Sequence, residues 1–408
     1  DVISGDTPDF DKITEPGLAA IFAAPALRNA LRPMFITDVE RTEWQLVFAD
    51  GSAIEAALDL GELQPGAGSV DWPHENICEL ELELKRGNAS HIFELALALQ
   101  ADIPLQIENI SKAQRGYAHF RHFPSPIAPR PLPDALPAGT TAELAFRQLA
   151  SLCLQHLQDG HTLLRTDAQP LALAVMRRAL ERLRFLLKLF GLPQNEIRKA
   201  LKQAIALLDI AFDWHALVHE TLPALSGNLP SREHKLLQQQ SDARLANALQ
   251  RLEQRLDSQG QHRLLLQLGA CLTATVPQPH FQAEAILRPA LQRDDLKLRK
   301  LAEHLPEASG KQLRKLLRRI DRLRYSAALL AIGADAAAEE AYLKGLTEIE
   351  TALTMLYNAR RAAVLSQRLL HDTKECGTTL DRLGQWHAAP LASAIRICQS
   401  CLHCLRLD

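Results

Sequence analysis

A run of acidic residues alternates with leucines between Ile77 and Lys85, where Glu79, Glu81 and Glu83 occupy every second position. This period of two is typical of a β-strand with one face turned to a core, and it projects the three carboxylates side by side, about 6–7 Å apart. Carboxylates this close repel one another unless water, basic side chains or a metal ion compensates their charge. Two interpretations are therefore open: a solvated sheet edge that deters aggregation, or a row of metal ligands.

Two further strands must position this acidic run. Residues 41–48 and 53–59 are predicted strands, and Asp50-Gly51 between them is typical of a two-residue hairpin turn. Two shorter elements are predicted downstream: a helix at 88–100 and a strand at 103–108. These elements together predict an antiparallel β domain in the first part of the chain.

A proline-rich stretch divides the chain. Its six prolines are Pro124, Pro126, Pro129, Pro131, Pro133 and Pro137. This density excludes a regular helix or a central strand, so we predict a domain at 1–120, a semi-rigid linker at 121–140 and a second domain at 141–408. The second domain is predicted to be a bundle of long antiparallel helices. These helices lie near 141–158, 171–190, 194–223, 232–257, 261–273, 281–303, 310–332, 335–371 and 377–405.

The distribution of charge separates the same two parts. Residues 1–120 contain 8 basic and 20 acidic side chains, whereas residues 121–408 contain 38 basic and 28 acidic ones. A basic second part favours an anionic partner. The seven cysteines have no regular spacing and no apolar run reaches 18 residues. We therefore expect reduced thiols, a cytoplasmic location and no membrane partner.

Residues 35–117 resemble the C-terminal half of a CYTH domain, closest to bacterial inorganic triphosphatases that join CYTH to a helical CHAD domain. The motifs that carry this resemblance are Thr37-Asp38, Arg41, Trp44, Asp50-Gly51-Ser52, Ile54-Glu55, Ala57-Leu58-Asp59, Gly61-Glu62, the acidic run and Ser111-Lys112 with Arg115-Gly116-Tyr117. The resemblance implies the α+β fold class. An N-terminal antiparallel β-tunnel, incomplete here, would precede an all-α, CHAD-like helical bundle.

The resemblance also implies a site. Basic side chains inside the tunnel would bind a triphosphate, and acidic side chains would bind Mg²⁺ or Mn²⁺. The implied phosphate-binding residues are Arg41, Lys112 and Arg115. The implied metal ligands are Asp59, Glu79 and Glu81. Metal-activated water would attack a terminal phosphorus of inorganic triphosphate and release diphosphate and phosphate. Cyclisation of ATP and hydrolysis of thiamine triphosphate are other chemistries of the same family.

Each of these positions also has a purely structural alternative. Arg41 could pair with Glu43 or Glu55 across the hairpin, and Asp59 could serve a turn before Gly61. Lys112 and Arg115 could cap a helix terminus. In addition, the N-terminal strand that carries the ExExK motif in the family is absent from this sequence. We therefore expect this chain to hydrolyse triphosphate poorly, and its parent to be active.

The helical part resembles a CHAD domain more loosely. CHAD helices carry His, Arg and Lys on a basic surface that binds polyphosphate. The implied polyphosphate-binding residues here are Arg177, Arg182, Arg314, Arg318 and Arg322, whereas the histidines expected by the resemblance are replaced by Ala174 and Arg314. Two alternatives follow: a non-catalytic polyphosphate-binding or scaffold protein, or a structural bundle with a solvated basic face.

Other motifs favour structural roles. Cys398, Cys401 and Cys404 follow a helical spacing that predicts a buried thiol stripe more than a metal site. His215 and His219 lie one helical turn apart without the HExxH pattern of a zinc site. Basic helices poor in aromatic residues are unsuited to base stacking, so we expect no sequence-specific binding to nucleic acid. The sequence does not predict an oligomeric state.

Overall fold

The computed structural model of the chain describes residues 9–66, 72–119, 135–164, 169–192, 195–227, 229–302, 304–330, 336–370 and 392–401. The chain divides into two compact units. The first consists of Asp1–Asn88 with Glu108–Pro126, and the second of Ala89–Ile107 with Ile127–Asp408. The predicted domain limits of 1–120 and 141–408 stay a prediction.

Within the described residues, the strands are β1 (Phe35–Val47), β2 (Ala53–Pro65) and β3 (Glu75–Arg86). The helices are α1 (Pro16–Phe22), α2 (Pro25–Ala30), α3 (Ser90–Asp102), α4 (Lys112–Ala118), α5 (Ala142–Leu164), α6 (Gln169–Leu189), α7 (Asn195–Ala216), α8 (Leu222–Ala224), α9 (Ser231–Leu256), α10 (Gln259–Thr273), α11 (Ala283–Ala302), α12 (Gly310–Leu330) and α13 (Ala336–Leu370). A π-helical turn at Leu217–Thr221 joins α7 to α8, and residues 392–401 are helical.

The first unit is built around a three-stranded antiparallel sheet in the order β1-β2-β3. The β1–β2 hairpin turns at Asp50-Gly51, where Gly51 has a φ of +83°, a backbone conformation that a glycine adopts without strain. The central strand β2 provides most of the buried side chains of the sheet, including Ile54 and Leu63. The strands predicted at 41–48, at 53–59 and along the acidic run are confirmed, and each is longer than predicted. The turn lies where predicted, but its loop has three residues, Ala49, Asp50 and Gly51, because the Phe48 N–H donates to the carbonyl of Ser52. The prediction of a two-residue turn was therefore wrong.

In the second unit, the described residues form helices and their connections, with one isolated β-bridge between Thr141 and Gln282. One hydrophobic core is shared by α5, α6, α7, α9 and α10, and a second by α11, α12, α13 and residues 392–401. The helix predicted near 171–190 is confirmed as α6, and its side chains Leu173, Met176, Leu180, Leu183 and Leu187 are all buried. The antiparallel sheet followed by this helical region confirms the α+β fold class.

Other predictions have different outcomes. Residues 103–108 form no strand, so that prediction was wrong; the backbone N–H of Ile107 donates instead to Nδ1 of His262, 3.0 Å away. Most of the predicted linker at 121–140, and residues 377–391 and 402–405 of the last predicted helix, lie outside the described residues.

Candidate functional site

The register of the sheet brings one residue of each strand into a row. Arg41 of β1 lies opposite Asp59 of β2, and Asp59 lies opposite Glu79 of β3. Because side chains alternate between the faces of a strand, these three share one face, and so does Glu81, two positions beyond Glu79. The side chain of Asp59 is only 1% exposed, and Arg41 binds it with two hydrogen bonds of 2.6 and 2.7 Å.

Helix α4 supplies two more cations to this face. Ser111 and Gln114 form a capping box at its N-terminus, with the Ser111 hydroxyl accepting from the Gln114 N–H and the Gln114 side chain accepting from the Ser111 N–H. The helix also packs on β1, since Gly116 lies against the ring of Phe35, leaving no room for a Cβ. The cap and this contact fix the first turn, which carries Lys112 and Arg115.

Lys112 lies at the centre of the site. Its Nζ is 2.9 Å from Oδ2 of Asp59, 2.7 Å from Oε2 of Glu79 and 2.8 Å from Oε1 of Glu81. Arg41 also donates to Oε2 of Glu81, at 2.9 Å. A single ammonium group therefore contacts all three implied metal ligands.

Arg115 extends the row towards the N-terminal end of β3. Its guanidinium donates to Glu79 and, at 3.0 Å, to Oε1 of Glu75. The other oxygen of Glu75 lies 3.1 Å from Nε2 of His119, whose ring stacks on Trp72 with the centroids 4.0 Å apart. Sequence reasoning missed Glu75, His119 and Trp72. Glu75 follows the same period of two as Glu79, so extending the predicted strand by one period would have found it.

These contacts exclude the specific structural roles that the sequence had left open for Arg41, Asp59, Lys112 and Arg115. Arg41 pairs with Asp59 and Glu81 rather than with Glu43 or Glu55. Asp59 lies in the middle of β2, so its interpretation as a turn residue was wrong. Lys112 and Arg115 reach the sheet, and the cap of α4 is provided by other side chains. The acidic residues beyond them form a separate group, in which Lys85 bridges Glu55 and Glu83 at 3.0 Å each.

The contacts in the site stabilise the charged forms of Asp59 and Lys112. The hydrogen bond from Arg41 lowers the pKa of Asp59 to about 2, and the contact with Lys112 adds to this effect, although burial acts in the opposite direction. Burial tends to lower the pKa of Lys112, but the hydrogen bonds to Glu79, Glu81 and Asp59 outweigh it and raise that pKa above its ordinary value. Asp59 and Lys112 are therefore both charged at neutral pH.

Carboxylate oxygens are hard donors of the kind that Mg²⁺ and Mn²⁺ prefer, so Asp59, Glu79 and Glu81 fit such an ion by their chemistry. Their oxygens face basic side chains, however. Among the residues that the structure describes, no group of three or more His, Cys, Asp or Glu side chains is arranged to hold a metal ion. The three metal ligands stay a prediction.

The five arginines singled out in the helical part all have carboxylate partners. Arg314 lies between two acidic residues of α7, with Nη1 2.8 Å from Oδ2 of Asp209 and Nη2 3.2 Å from Oδ2 of Asp213. The remaining ion pairs are Arg177 with Asp209 at 3.8 Å, Arg182 with Asp321 at 2.7 Å, Arg318 with Glu181 at 2.7 Å and with Asp209 at 3.4 Å, and Arg322 with Asp294 at 3.1 Å.

Sequence reasoning missed these carboxylates, although Asp209 and Asp213 interrupt the buried apolar face of α7 at a spacing of one turn. Burial raises the pKa of Asp209 to about 6, and the neighbouring arginines oppose this rise. The arginines are thus part of an ion-pair network that links α6, α7, α11 and α12.

The structure also places the weaker sequence motifs. The rings of His215 and His219 are 4.4 Å apart, and burial, with a smaller effect of His219, lowers the pKa of His215 to about 4. Cys398 is buried, as predicted, Cys401 is half-buried, and Cys404 lies outside the described residues. In the described part of the chain, no helix combines the length and the apolar character that crossing a membrane requires.

Comparisons with known proteins identify two family domains. The CHAD domain model matches residues 148–370, and the CYTH domain model matches residues 6–117, which confirms the resemblance. An inorganic triphosphatase of Haemophilus influenzae is 38% identical to the chain over 89 residues, which are 22% of this chain and 24% of that protein. The chain thus spans about a quarter of the length of this relative.

Two solved structures share the helical fold. The crystal structure of the CHAD domain from the plant Ricinus communis has a TM-score of 0.59 and 23% identity, and covers 69% of this chain and 98% of its own. PptA from Streptomyces chartreusis has a TM-score of 0.51 and 18% identity, and covers 65% of this chain and 99% of its own. At these identities the similarity concerns the fold alone.

Proposed function

We propose, from the premise that the chain belongs to the CHAD domain family and carries a CYTH domain in residues 6–117, that the CYTH domain hydrolyses inorganic triphosphate with a divalent metal ion. The family match and the relative named inorganic triphosphatase support triphosphate hydrolysis at the level of the family. The proposal for this protein adds the substrate, Mg²⁺ or Mn²⁺, and named residues.

The observation that carries the proposal is the meeting of Lys112 with Asp59, Glu79 and Glu81 on one sheet face. A linear triphosphate carries several negative charges and requires cations from more than one element, which Arg41, Lys112 and Arg115 provide. Hydrolysis of its terminal phosphoanhydride breaks one P–O bond as water adds to phosphorus, and yields diphosphate and phosphate.

The roles follow from the chemistry of each side chain. We assign Arg41, Lys112 and Arg115 to the phosphate oxygens, where fixed positive charge stabilises the transferring group. We assign Asp59, Glu79 and Glu81 to the metal ion, which when bound would neutralise phosphate charge and activate water. Asp59 is not assigned a role in proton transfer, because its pKa is far below neutral.

Phosphate release from tripolyphosphate is the direct test. We expect release that requires Mg²⁺ or Mn²⁺, stops with EDTA, and falls at least tenfold in Lys112→Met. Lys85→Met is the matched control, because Lys85 contacts Glu55 and Glu83 of the same sheet but none of the six site residues. Parallel assays with ATP and thiamine triphosphate test the other chemistries of the family. If the two variants lose equal activity, the role of Lys112 is wrong. The weak hydrolysis expected from the sequence is measured in the same assay.

A second candidate function is non-catalytic binding of polyphosphate by the helical domain. The convergence of Arg177, Arg314 and Arg318 on Asp209 favours it, because it concentrates positive charge at one place in the bundle. A salt-sensitive polyphosphate pull-down tests it. Binding that survives replacement of Arg314, Arg318 and Arg322 by Glu contradicts the assignment of these residues.

A further inference from the structure

The three implied metal ligands have no carboxylate oxygen left without a basic partner. In Asp59, Oδ1 accepts from Arg41, and Oδ2 accepts from Arg41 and Lys112. Both oxygens of Glu81 are engaged by the same two cations. In Glu79, Oε1 accepts from Arg115 and Oε2 from Lys112. All six oxygens therefore contact the side chains assigned to phosphate.

We propose that the divalent metal ion and the triphosphate bind this site with positive coupling. The metal ion takes the carboxylates away from the cations that triphosphate needs, and the triphosphate takes the cations away from the carboxylates that the metal ion needs. The inference rests on the proposed function and deepens it. It concerns the ion pairs of this chain: in the free site, the cations occupy the place of the metal ion, and the carboxylates occupy the place of the phosphate oxygens.

The physical reason lies in the cost of separating these pairs. A metal ion that binds alone must withdraw carboxylates from Lys112, which is 15% exposed, and leave that ammonium without its partners. A triphosphate that binds alone must draw the same ammonium away from Glu79 and Glu81 and place its own oxygens beside them. When both ligands bind, the pairs are separated only once, and every group regains a partner of opposite charge.

Coupling of this kind is reciprocal: the metal ion raises the affinity for triphosphate by the factor by which triphosphate raises the affinity for metal. We expect a factor of roughly ten or more, within the range usual for coupled sites. The coupling also lowers the affinity of the free site for either ligand alone, since its cations and carboxylates already pair with one another.

Glu81→Gln separates the proposal from a role for Glu81 as a metal ligand only. The variant keeps the size of the side chain but weakens its hold on Arg41 and Lys112, so metal-free affinity for triphosphate should rise. The probe is imidotriphosphate, in which NH replaces the bridging oxygens to resist hydrolysis. Isothermal titration calorimetry measures its affinity in EDTA and in Mg²⁺. We expect affinity in EDTA about five- to tenfold above that of the wild type, and a smaller gain on adding Mg²⁺.

Glu43→Gln is the matched control. Glu43 lies on the same face of β1, two positions from Arg41, and among the described residues it has no ion pair. The variant removes the same charge near the site without releasing a cation, and its affinity in EDTA should stay within about twofold of the wild type. Complexes of Mg²⁺ with free imidotriphosphate form equally with all three proteins, so they cancel in the comparison.

A second variant guards against misfolding. Glu79→Gln removes one carboxylate partner each from Lys112 and Arg115, and the same rise in metal-free affinity is expected if Glu81→Gln does not fold. If neither variant exceeds Glu43→Gln in EDTA, the coupling is refuted while the proposed function stands. If imidotriphosphate fails to bind any of these proteins, with or without Mg²⁺, the proposed function itself fails, and the coupling with it.

Discussion

Arg41 and Asp59 face each other across the β1–β2 ladder and form a two-point ion pair, with Nε 2.6 Å from Oδ1 and Nη2 2.7 Å from Oδ2. A planar guanidinium matches both oxygens of a carboxylate, which Lys at this position would not. Because the Asp59 side chain is almost fully buried, the pair also compensates the cost of placing a charge there. The orientation of Asp59 towards Lys112 follows from this pairing.

Arg41→Gln should raise the pKa of Asp59 from about 2 towards or above its ordinary value of 3.8, because the main hydrogen bond that lowers it is lost while burial remains. Titration of the Asp59 carboxyl carbon by ¹³C NMR measures this. In the folded wild type the pKa is lowered, so the pair stabilises the fold above about pH 4, and this contribution disappears as the pH falls towards 2. Arg86→Gln is the control, since Arg86 donates to the carbonyl of Gly51 and not to Asp59. An unchanged pKa in Arg41→Gln would show that the pair does not hold the charge.

Gly116→Ala should weaken the site, although the same change inside most helices stabilises them by nearly 1 kcal/mol. A Cβ at this position would overlap the ring of Phe35, so α4 must move away from β1 and carry Lys112 and Arg115 with it. We expect a loss of about 1–3 kcal/mol in the free energy of unfolding and weaker binding of imidotriphosphate. Urea unfolding and calorimetry measure the two effects. Gly310→Ala, where a Cβ meets nothing within 4 Å, should change neither.

Asp209→Asn with Asp213→Asn should increase the affinity of the helical domain for polyphosphate. These two carboxylates form the ion pairs of Arg314, and Asp209 also pairs with Arg177 and Asp213 with Arg361. Their loss removes the ion pairs of these three guanidinium groups, whereas Arg318 keeps Glu181. Fluorescence anisotropy of labelled polyphosphate at several salt concentrations measures the gain, which salt should reduce. Asp242→Asn on α9 removes a carboxylate that contacts Gln238 and serves as the control. Equal affinities in both variants would mean that the arginines do not reach polyphosphate.

Cys78 should react with iodoacetamide in the folded chain, whereas Cys153 and Cys271 should not. Cys78 is exposed on β3, but burial raises the pKa of Cys153 to about 12 and that of Cys271 to about 11, which suppresses the reactive thiolate. Mass spectrometry of the alkylated peptides measures each site separately, with unfolded protein as the control. The result also tests the register of β3, because protection of Cys78 would imply that this strand has turned its other face outwards.

The sequence predicted the framework of the site because period and turn chemistry act locally. The alternation of Glu79 and Glu81 with leucines, and the Asp50-Gly51 turn, are sufficient to place three strands. The pairing of Arg41 with Asp59 depends on the relative shift of β1 and β2, which no local pattern contains. Sequence reasoning therefore considered Glu43 and Glu55 as partners of Arg41 and missed Asp59.

The helical part shows the same limit. The helices predicted near 171–190 and 310–332 agree with α6 and α12 to within a few residues, since helical periodicity depends on one helix alone. The carboxylate partners of Arg314 and Arg318 on α12 lie on α7 and α6, far away in the chain, and depend on how three helices pack. The positions of Arg314 and Arg318 in the sequence therefore gave no indication that each would form an ion pair with a carboxylate of another helix.

The alternation along β3 also has a genetic consequence. Loss of a single codon between those for Ile77 and Glu79 would turn the following leucines to the position of Glu79 and Glu81, and would send both carboxylates to the opposite face. Loss of two codons would restore the faces but shift each glutamate by two positions, so that Glu81 would lie opposite Asp59. A substitution in this strand alters one side chain, whereas a change in length alters the face of every residue that follows. Natural variants of this segment should therefore differ by replacement rather than by insertion or deletion.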